Sequence, residues 1–190
     1  MRWPTAARSE ARRDAQAFRR IYDEHARSVF RFLRDLLRDA ASADEATQET
    51  FVRAHAGWER LERDDRVLAW LFGIARNVAY EAMRARKRLI PMEESELPEP
   101  ENVAAPPDPE ALLLGREVDA MLKEALATLS EDRRAALLMA IDHGLPYGEI
   151  AEVMGWSLAK VKVEIHRARL LLRAHVTKVQ KRSNEGNHAV

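Results

Sequence analysis

The chain has 190 residues, with 31 basic and 31 acidic side chains and no cysteine, a length that fits one or two small domains. The lack of cysteine excludes a disulfide-stabilised scaffold, a thiolate zinc site and a cysteine nucleophile. No apolar run approaches the roughly 18 residues of a membrane-spanning helix, and the charged N-terminus is unlike a secretory signal. We therefore expect a cytoplasmic protein with no direct membrane insertion.

The zero net charge conceals an uneven distribution of charge along the chain. Residues 1–90 carry net +5, residues 91–111 carry −7 and residues 112–190 carry +2. Two basic segments on either side of an acidic one favour a polyanionic partner. Arginine outnumbers lysine 25 to 6, which suits bidentate phosphate contacts, although a coding bias would give the same ratio.

The N-terminal half predicts an all-α bundle of three to four helices. Apolar side chains recur at helical spacing over 18–36 and again over 68–82, which indicates two amphipathic helices. Between them, Ser42 and Glu45 predict a capping-box start for a helix that runs to about Gly57.

A flexible acidic linker is predicted at 89–115. Six of the eight prolines and seven acidic side chains lie within it, with no basic side chain between residues 91 and 111. Proline fixes the backbone and like charges repel, so this segment is expected to be extended. It separates a predicted domain at 16–88 from a second at 116–175, and we expect disordered tails at 1–15 and 176–190.

The C-terminal half predicts shorter helices that include a helix-turn-helix. Ser130 is expected to cap one helix, a second spans about 147–154, Gly155 ends it, and Ser157 caps the last. Glycine suits the positive-φ turn of this motif. The last helix carries an apolar stripe over 158–172 and basic side chains on its outer face, as a recognition helix does. An ordinary helical hairpin with a solvated charged face is the alternative.

Three sequence segments, in this order, resemble those of a known family: DEATQETFVRAH, AWLFGIARNVAYEAMRARKR and, after the acidic linker, LATLSEDRRAALLMAIDHGLPYGEIAEVMGWSLAKVKVEIHRAR. Over about 18–173 the chain resembles an extracytoplasmic-function (ECF) sigma factor of bacterial RNA polymerase, group 4 of the sigma-70 family. The resemblance implies two small helical domains, sigma region 2 at 16–88 and sigma region 4 at 116–175. It also implies a transcription initiation factor with an anti-sigma partner, no cofactor and no small-molecule substrate.

The resemblance assigns two sets of residues to the first domain. One set matches the segment that grips the β′ clamp helices of core polymerase: Asp44, Glu45, Gln48 and Glu49. A second set matches the segments that bind and melt the −10 element: Trp58, Arg66, Trp70, Arg76, Asn77, Arg84 and Lys87, with Arg86 and Arg88 in the same basic run. Two alternatives stay open, because Asp44 and Glu45 also complement a helix N-terminus and Trp70 could equally belong to the core.

In the second domain, which the resemblance also relates to the polymerase β flap, one set matches the positions that contact the −35 element: Lys160, Lys162, Val163, His166, Arg167 and Arg169. Val163 and Glu164 depart from the family pattern, which has a small polar and a basic residue there. Glutamate near phosphate is repulsive but can accept from cytosine N4, so either the −35 sequence differs or the contact is weaker. Pro146 stands where a Ser or Thr cap is usual, and its fixed φ suits a first helical position.

The acidic linker has two interpretations, a plain tether or an RNA mimic in a basic polymerase channel. Two other functions compete with initiation. A free-standing helix-turn-helix regulator would need a ligand pocket or a dimerising helix in its N-terminal half. A small helical enzyme is disfavoured because the six histidines show no HExxH or other metal-ligand spacing, and His25, on an apolar stripe, is expected in the core.

Overall fold

The computed structural model describes residues 5–58, 66–89 and 124–186. These residues form helices, turns and short connections without any strand, so the all-α prediction is confirmed. The chain divides into two compact units, residues 1–91 and 92–190.

The predicted linker and the connection between the second and third helices lie largely outside the described residues. The linker lies outside the described residues from position 90 to its end, and so do residues 59–65 of the loop between the second and third helices. The boundaries 16–88, 89–115 and 116–175 therefore stay predictions.

Unit 1 is a bundle of three helices, α1 (Thr5–Leu37), α2 (Ala40–Gly57) and α3 (Val67–Leu89). Each helix packs against the other two. The core consists of the apolar stripes that the periodicity predicts, and its largest fully buried side chains are Phe32, Phe72, Leu33, Leu36, Leu71 and Val29. Phe32 and Phe72 join α1 to α3, with ring centroids 4.8 Å apart. These contacts fix the faces that the bundle leaves exposed.

The start of α2 differs from the predicted capping box. Arg38 has a φ of 62° and ends α1, and Asp39 is the N-cap, with its carboxylate accepting from the backbone N–H of Ser42 at 2.9 Å. Hydrogen bonds from Ser42 lower the pKa of Asp39. Ser42 therefore donates to the cap and is not itself the cap. The acidic acceptor, Asp39, lies three residues before it, directly after the break between α1 and α2 at Arg38. The predicted end at Gly57 is confirmed.

Unit 2 contains a helical turn at 124–127 followed by α4 (Glu131–Ile141), α5 (Tyr147–Met154) and α6 (Leu158–Gly186). The last three helices pack against one another around a core of Met139, Ile150, Val161, Ile165 and Ala168. The turn is tied to α4 by the buried Arg134, whose guanidinium donates to the carbonyl oxygens of Leu126 at 2.9 Å and Leu129 at 3.2 Å.

Three details of the predicted helices are wrong. Leu158 is the first residue of α6 and is 47% exposed, because the buried stripe begins one turn later. Ser130 occupies the N-cap of α4 but makes no side-chain capping hydrogen bond. The tails that were expected to be disordered are helical over 5–15 and 176–186. The first stretch is rich in alanine and arginine, and the second contains lysine, glutamine, arginine and glutamate, all good helix formers.

Candidate nucleic-acid and partner interfaces

The outer face of α2 presents the predicted clamp-binding residues. Asp44, Glu45 and Gln48 are exposed, and Glu49 is half-buried. Gln48 Nε2 donates to Asp44 Oδ2 at 3.1 Å, one helical turn away. Val52, which was not singled out from the sequence, follows Gln48 by one turn and is 64% exposed, so it extends this polar face with an apolar contact.

Arg53 joins the face of α2 to α3. Its Nε donates to Glu49 Oε1 at 2.7 Å, and its Nη1 and Nη2 donate to the two carboxylate oxygens of Glu81 at 3.0 and 2.8 Å. These bonds, chiefly those to Glu81, raise the pKa of Arg53, and they lower the pKa of Glu81. The i,i+4 spacing of Glu49 and Arg53 is readable in the sequence, but Glu81 lies 28 residues further along the chain.

Of the two predicted tryptophans, Trp58 directly follows α2, and Trp70 lies in the first turn of α3. Trp58 is half-buried and meets the ring of Phe18 edge-on, with centroids 6.2 Å apart. Trp70 is also half-buried and lies beside Gly57, where a methyl group would come 3.6 Å from the indole. Each indole thus combines packing in the bundle with an accessible part.

A basic stripe runs along α3 from the predicted −10 residues. Arg76 lies over the ring of Tyr80, 4.6 Å from its centroid, and Arg84 Nε donates to the backbone oxygen of Tyr80 at 3.2 Å. The predicted residues Asn77, Arg84, Arg86, Lys87 and Arg88 are exposed, whereas Arg66 and Arg76 are half-buried. Tyr80 was not singled out from the sequence, although its spacing of four from Arg76 and from Arg84 places all three on one face.

The predicted helix-turn-helix is present in α5, the turn and α6. Gly155 has φ 64° and ψ 33°, and the Trp156 N–H donates to the Ala151 carbonyl oxygen at 2.9 Å across the turn. Ser157 Oγ accepts from the Lys160 N–H at 3.2 Å, which confirms the predicted cap of α6. Pro146 is at the N-cap of α5, with ψ 142° and no side-chain capping hydrogen bond.

The six predicted −35 residues are all exposed on α6: Lys160, Lys162, Val163, His166, Arg167 and Arg169. They lie opposite the buried stripe of that helix. Lys160 is held over the indole of Trp156, with Nζ 4.3 Å from the ring centroid. The outer face of α6 is therefore a basic strip in which Val163 is an apolar side chain at 46% exposure.

Glu164 does not belong to this strip. Its side chain is 13% exposed and turns toward α4, where Arg133 Nε donates to its Oε2. Arg167 Nη1 donates to the other oxygen, Oε1, at 3.1 Å. The hydrogen bond from Arg133 is the chief reason why the pKa of Glu164 is lowered. This contact was not predicted from the sequence, because its two residues lie 31 positions apart.

Two further features of the described parts of the chain bear on function. No helix there is both long enough and apolar enough to span a membrane. Over the same residues, no group of three or more histidine, aspartate or glutamate side chains is arranged to hold a metal ion.

Comparisons with protein families match both units. The family described as sigma-70 region 2 matches residues 21–89, and the family described as sigma-70, region 4 matches residues 119–172. The two matches occur in the order that the resemblance implies.

Individual proteins match over most of the chain. The ECF RNA polymerase sigma factor SigL of Mycobacterium tuberculosis is 33% identical, over 84% of this chain and 89% of its own length. The RNA polymerase sigma factor YlaC of Bacillus subtilis is 29% identical, over 83% of this chain and 91% of its own length. Among solved structures, the sigma factor RpoE of Bartonella quintana, in complex with the anti-sigma factor NepR, is 24% identical with a TM-score of 0.67. That match covers 85% of this chain and 98% of RpoE.

Proposed function

Because the chain belongs to the ECF sigma factors of bacterial RNA polymerase, we propose that it binds core polymerase through α2 and reads promoter elements through α3 and α6. It is a transcription initiation factor. The detailed proposal rests on three exposed faces that differ in charge. The face of α2 is acidic and polar, whereas those of α3 and α6 are basic.

The face of α2 suits a basic protein partner. Asp44, Glu45 and Gln48 project from adjacent turns, and Glu49 is oriented by Arg53. Opposed charges on two helices favour association and fix its register. We assign this face to the β′ clamp helices.

The basic stripe of α3 suits the −10 element. Arg76, Arg84 and Lys87 offer cationic contacts to phosphates, and the accessible parts of Trp58 and Trp70 offer surfaces on which extruded bases can stack. Base extrusion costs a few kcal/mol, which stacking and hydrogen bonding must offset.

The outer face of α6 suits the major groove of the −35 element. Lys160, Lys162 and Arg167 provide phosphate and base-edge donors, while exposed Val163 suits apolar contact with a thymine methyl group. The turn at Gly155 presents this helix to the duplex as in other helix-turn-helix domains.

The proposal also covers the location of the protein, its chemistry and its regulation. We assign a cytoplasmic location, no covalent chemistry, and control by an anti-sigma factor in a stress or envelope response. Unit 2 is also assigned a contact with the β flap. Exposed Leu170 and Leu171 on α6 provide apolar area for a protein partner.

The test is binding of the labelled chain to sigma-free core polymerase, followed by fluorescence anisotropy. The double variant Gln48→Ala, Glu49→Arg should lose most of the affinity. Glu24→Arg is the matched control, since Glu24 is exposed on α1 and the change in charge equals that at Glu49. Binding to DNA alone, with none to core, would instead indicate a free-standing helix-turn-helix regulator.

A further inference from the structure

The recognition helix contains one half-buried acid among its exposed cations. Glu164 lies between Val163 and Arg167 in the segment proposed to enter the major groove, at a position where the family pattern has a basic residue. Its side chain is only 13% exposed, whereas that of Arg167 is 58% exposed. The acid therefore lies beneath the DNA-facing surface.

Each oxygen of this carboxylate accepts a hydrogen bond from an arginine. Oε2 accepts from Arg133 of α4, and Oε1 accepts from Arg167 at 3.1 Å. To accept from cytosine N4, the Glu164 side chain would have to turn outward and away from α4, leaving Arg133 without this partner. A direct reading of a base by Glu164 is accordingly disfavoured.

We infer that Glu164 is a positioning residue, which docks the recognition helix on α4 through Arg133 and aims the guanidinium of Arg167 at the −35 duplex. This inference rests on the proposed function of α6. Arginine has five N–H donors, and Glu164 takes one of them, so four remain for phosphate or a base edge. Holding the side chain in place before binding reduces the entropy lost on binding.

When the Glu164 carboxylate is removed, a positioning role and simple electrostatics predict opposite changes in affinity for the preferred sequence. Removing a negative charge near DNA should tighten binding to any duplex by lowering repulsion. Removing a positioning carboxylate should weaken binding to the preferred sequence, because Arg167 is then no longer held in its productive geometry. The ratio of specific to non-specific affinity separates the two effects.

The experiment uses the full chain and a duplex that the wild-type protein selects from a pool randomised over one −35-sized window. Affinities for that duplex and for a scrambled duplex are measured for wild type, Glu164→Gln, Arg167→Ala and the double variant. Glu149→Gln is the matched control, since it removes one negative charge from α5 of the same unit.

Glu164→Gln should lower the specific-to-scrambled ratio by about fivefold to tenfold, and this loss should largely disappear in the Arg167→Ala background, because two residues that act through one contact are not additive. Glu149→Gln should leave the ratio near that of wild type. Equal losses with and without Arg167, or no loss at all, would overturn the inference. A new preferred base at a single position would also overturn it, because it would indicate direct reading by Glu164.

A charge-reversed pair keeps the test valid if Glu164→Gln folds poorly. Arg133→Glu with Glu164→Arg should restore the ion pair between α4 and α6 and hence the thermal stability. The guanidinium introduced on α6 cannot accept from Arg167, however, so the ratio should stay low. Recovery of the ratio together with stability would reduce Glu164 to a helix-docking role and overturn the inference.

The proposed function and the inference fail in different ways. Failure of the wild type itself to select any sequence would overturn the proposed reading by α6 and this inference with it. Selection by the wild type with unchanged ratios in the variants would overturn the inference alone.

Discussion

Arg53 of α2 makes a bidentate contact with Glu81 of α3, from Nη1 at 3.0 Å and Nη2 at 2.8 Å. The same guanidinium donates from Nε to Glu49. One arginine thus connects the face proposed for core polymerase with the helix proposed for the −10 element. The geometry uses the planar fork of arginine, which lysine cannot reproduce.

Arg53→Lys should therefore weaken binding to core polymerase by about threefold to tenfold, since Glu49 loses its orienting hydrogen bond while the charge is kept. Anisotropy with labelled chain and sigma-free core measures this effect. Arg19→Lys is the control, because Arg19 is exposed on α1 and lies 4.0 Å from its partner Asp23. Equal affinities for the Arg53→Lys variant and wild type would show that Glu49 needs no such support.

The N-cap of α2 gives a prediction about stability and pH. Asp39→Ala should lower the free energy of unfolding of unit 1 by about 1 kcal/mol near neutral pH, the usual worth of an N-cap. Because hydrogen bonds from Ser42 lower the pKa of Asp39 in the folded state, this contribution is complete above the unfolded pKa of about 3.9. It is lost as the pH falls through the lower, folded value.

Urea unfolding followed by tryptophan fluorescence at several pH values checks this prediction. The difference between wild type and Asp39→Ala should shrink at the acid end of the range. Asp23→Ala, at an exposed site on α1, is the control. A difference that grows on acidification would contradict the assigned cap.

The turn of the helix-turn-helix gives a third prediction. A methyl group at Gly155 would meet no atom within 4 Å, but the residue has φ 64°. Gly155→Ala should therefore destabilise unit 2 by about 1–2 kcal/mol, through backbone strain alone. Gly148→Ala is the matched control, because its site is equally open and lies within α5, where alanine should leave stability unchanged or raise it. Denaturant unfolding followed by circular dichroism measures both, and equal effects would contradict the account.

Lys160 gives a prediction about salt dependence. Held over Trp156 beside the start of α6, it is assigned to phosphate, so Lys160→Gln should weaken binding to all sequences alike and lower the slope of log affinity against log salt by about 1. Lys178→Gln, further along α6, is the control. A loss confined to one sequence would reassign Lys160 to base reading.

The helices themselves could be predicted well from sequence, because periodicity reports burial directly. The α5–Gly155–α6 motif follows from a glycine between two amphipathic stretches, and the structure confirms the bounds of α5. The start of α2 was missed because Ser42 and Asp39 are both acceptable caps, and only the backbone break at Arg38 decides between them.

The contacts that orient the proposed interfaces could not be predicted. Arg53–Glu81 and Arg133–Glu164 join residues 28 and 31 positions apart, and sequence spacing carries no signal at such separations. Glu164 illustrates the consequence, because its position on the recognition helix suggests a DNA-facing acid, whereas packing against α4 turns it inward. Exposure of the other −35 residues follows from helical phase alone.

Run-off transcription tests the central claim most directly. Sigma-free bacterial core polymerase is combined with this chain on a DNA fragment taken from upstream of the protein's own gene. The account predicts a discrete transcript that requires the chain, disappears with Gln48→Ala, Glu49→Arg and persists with Glu24→Arg. Absence of both a transcript and binding to core would contradict it.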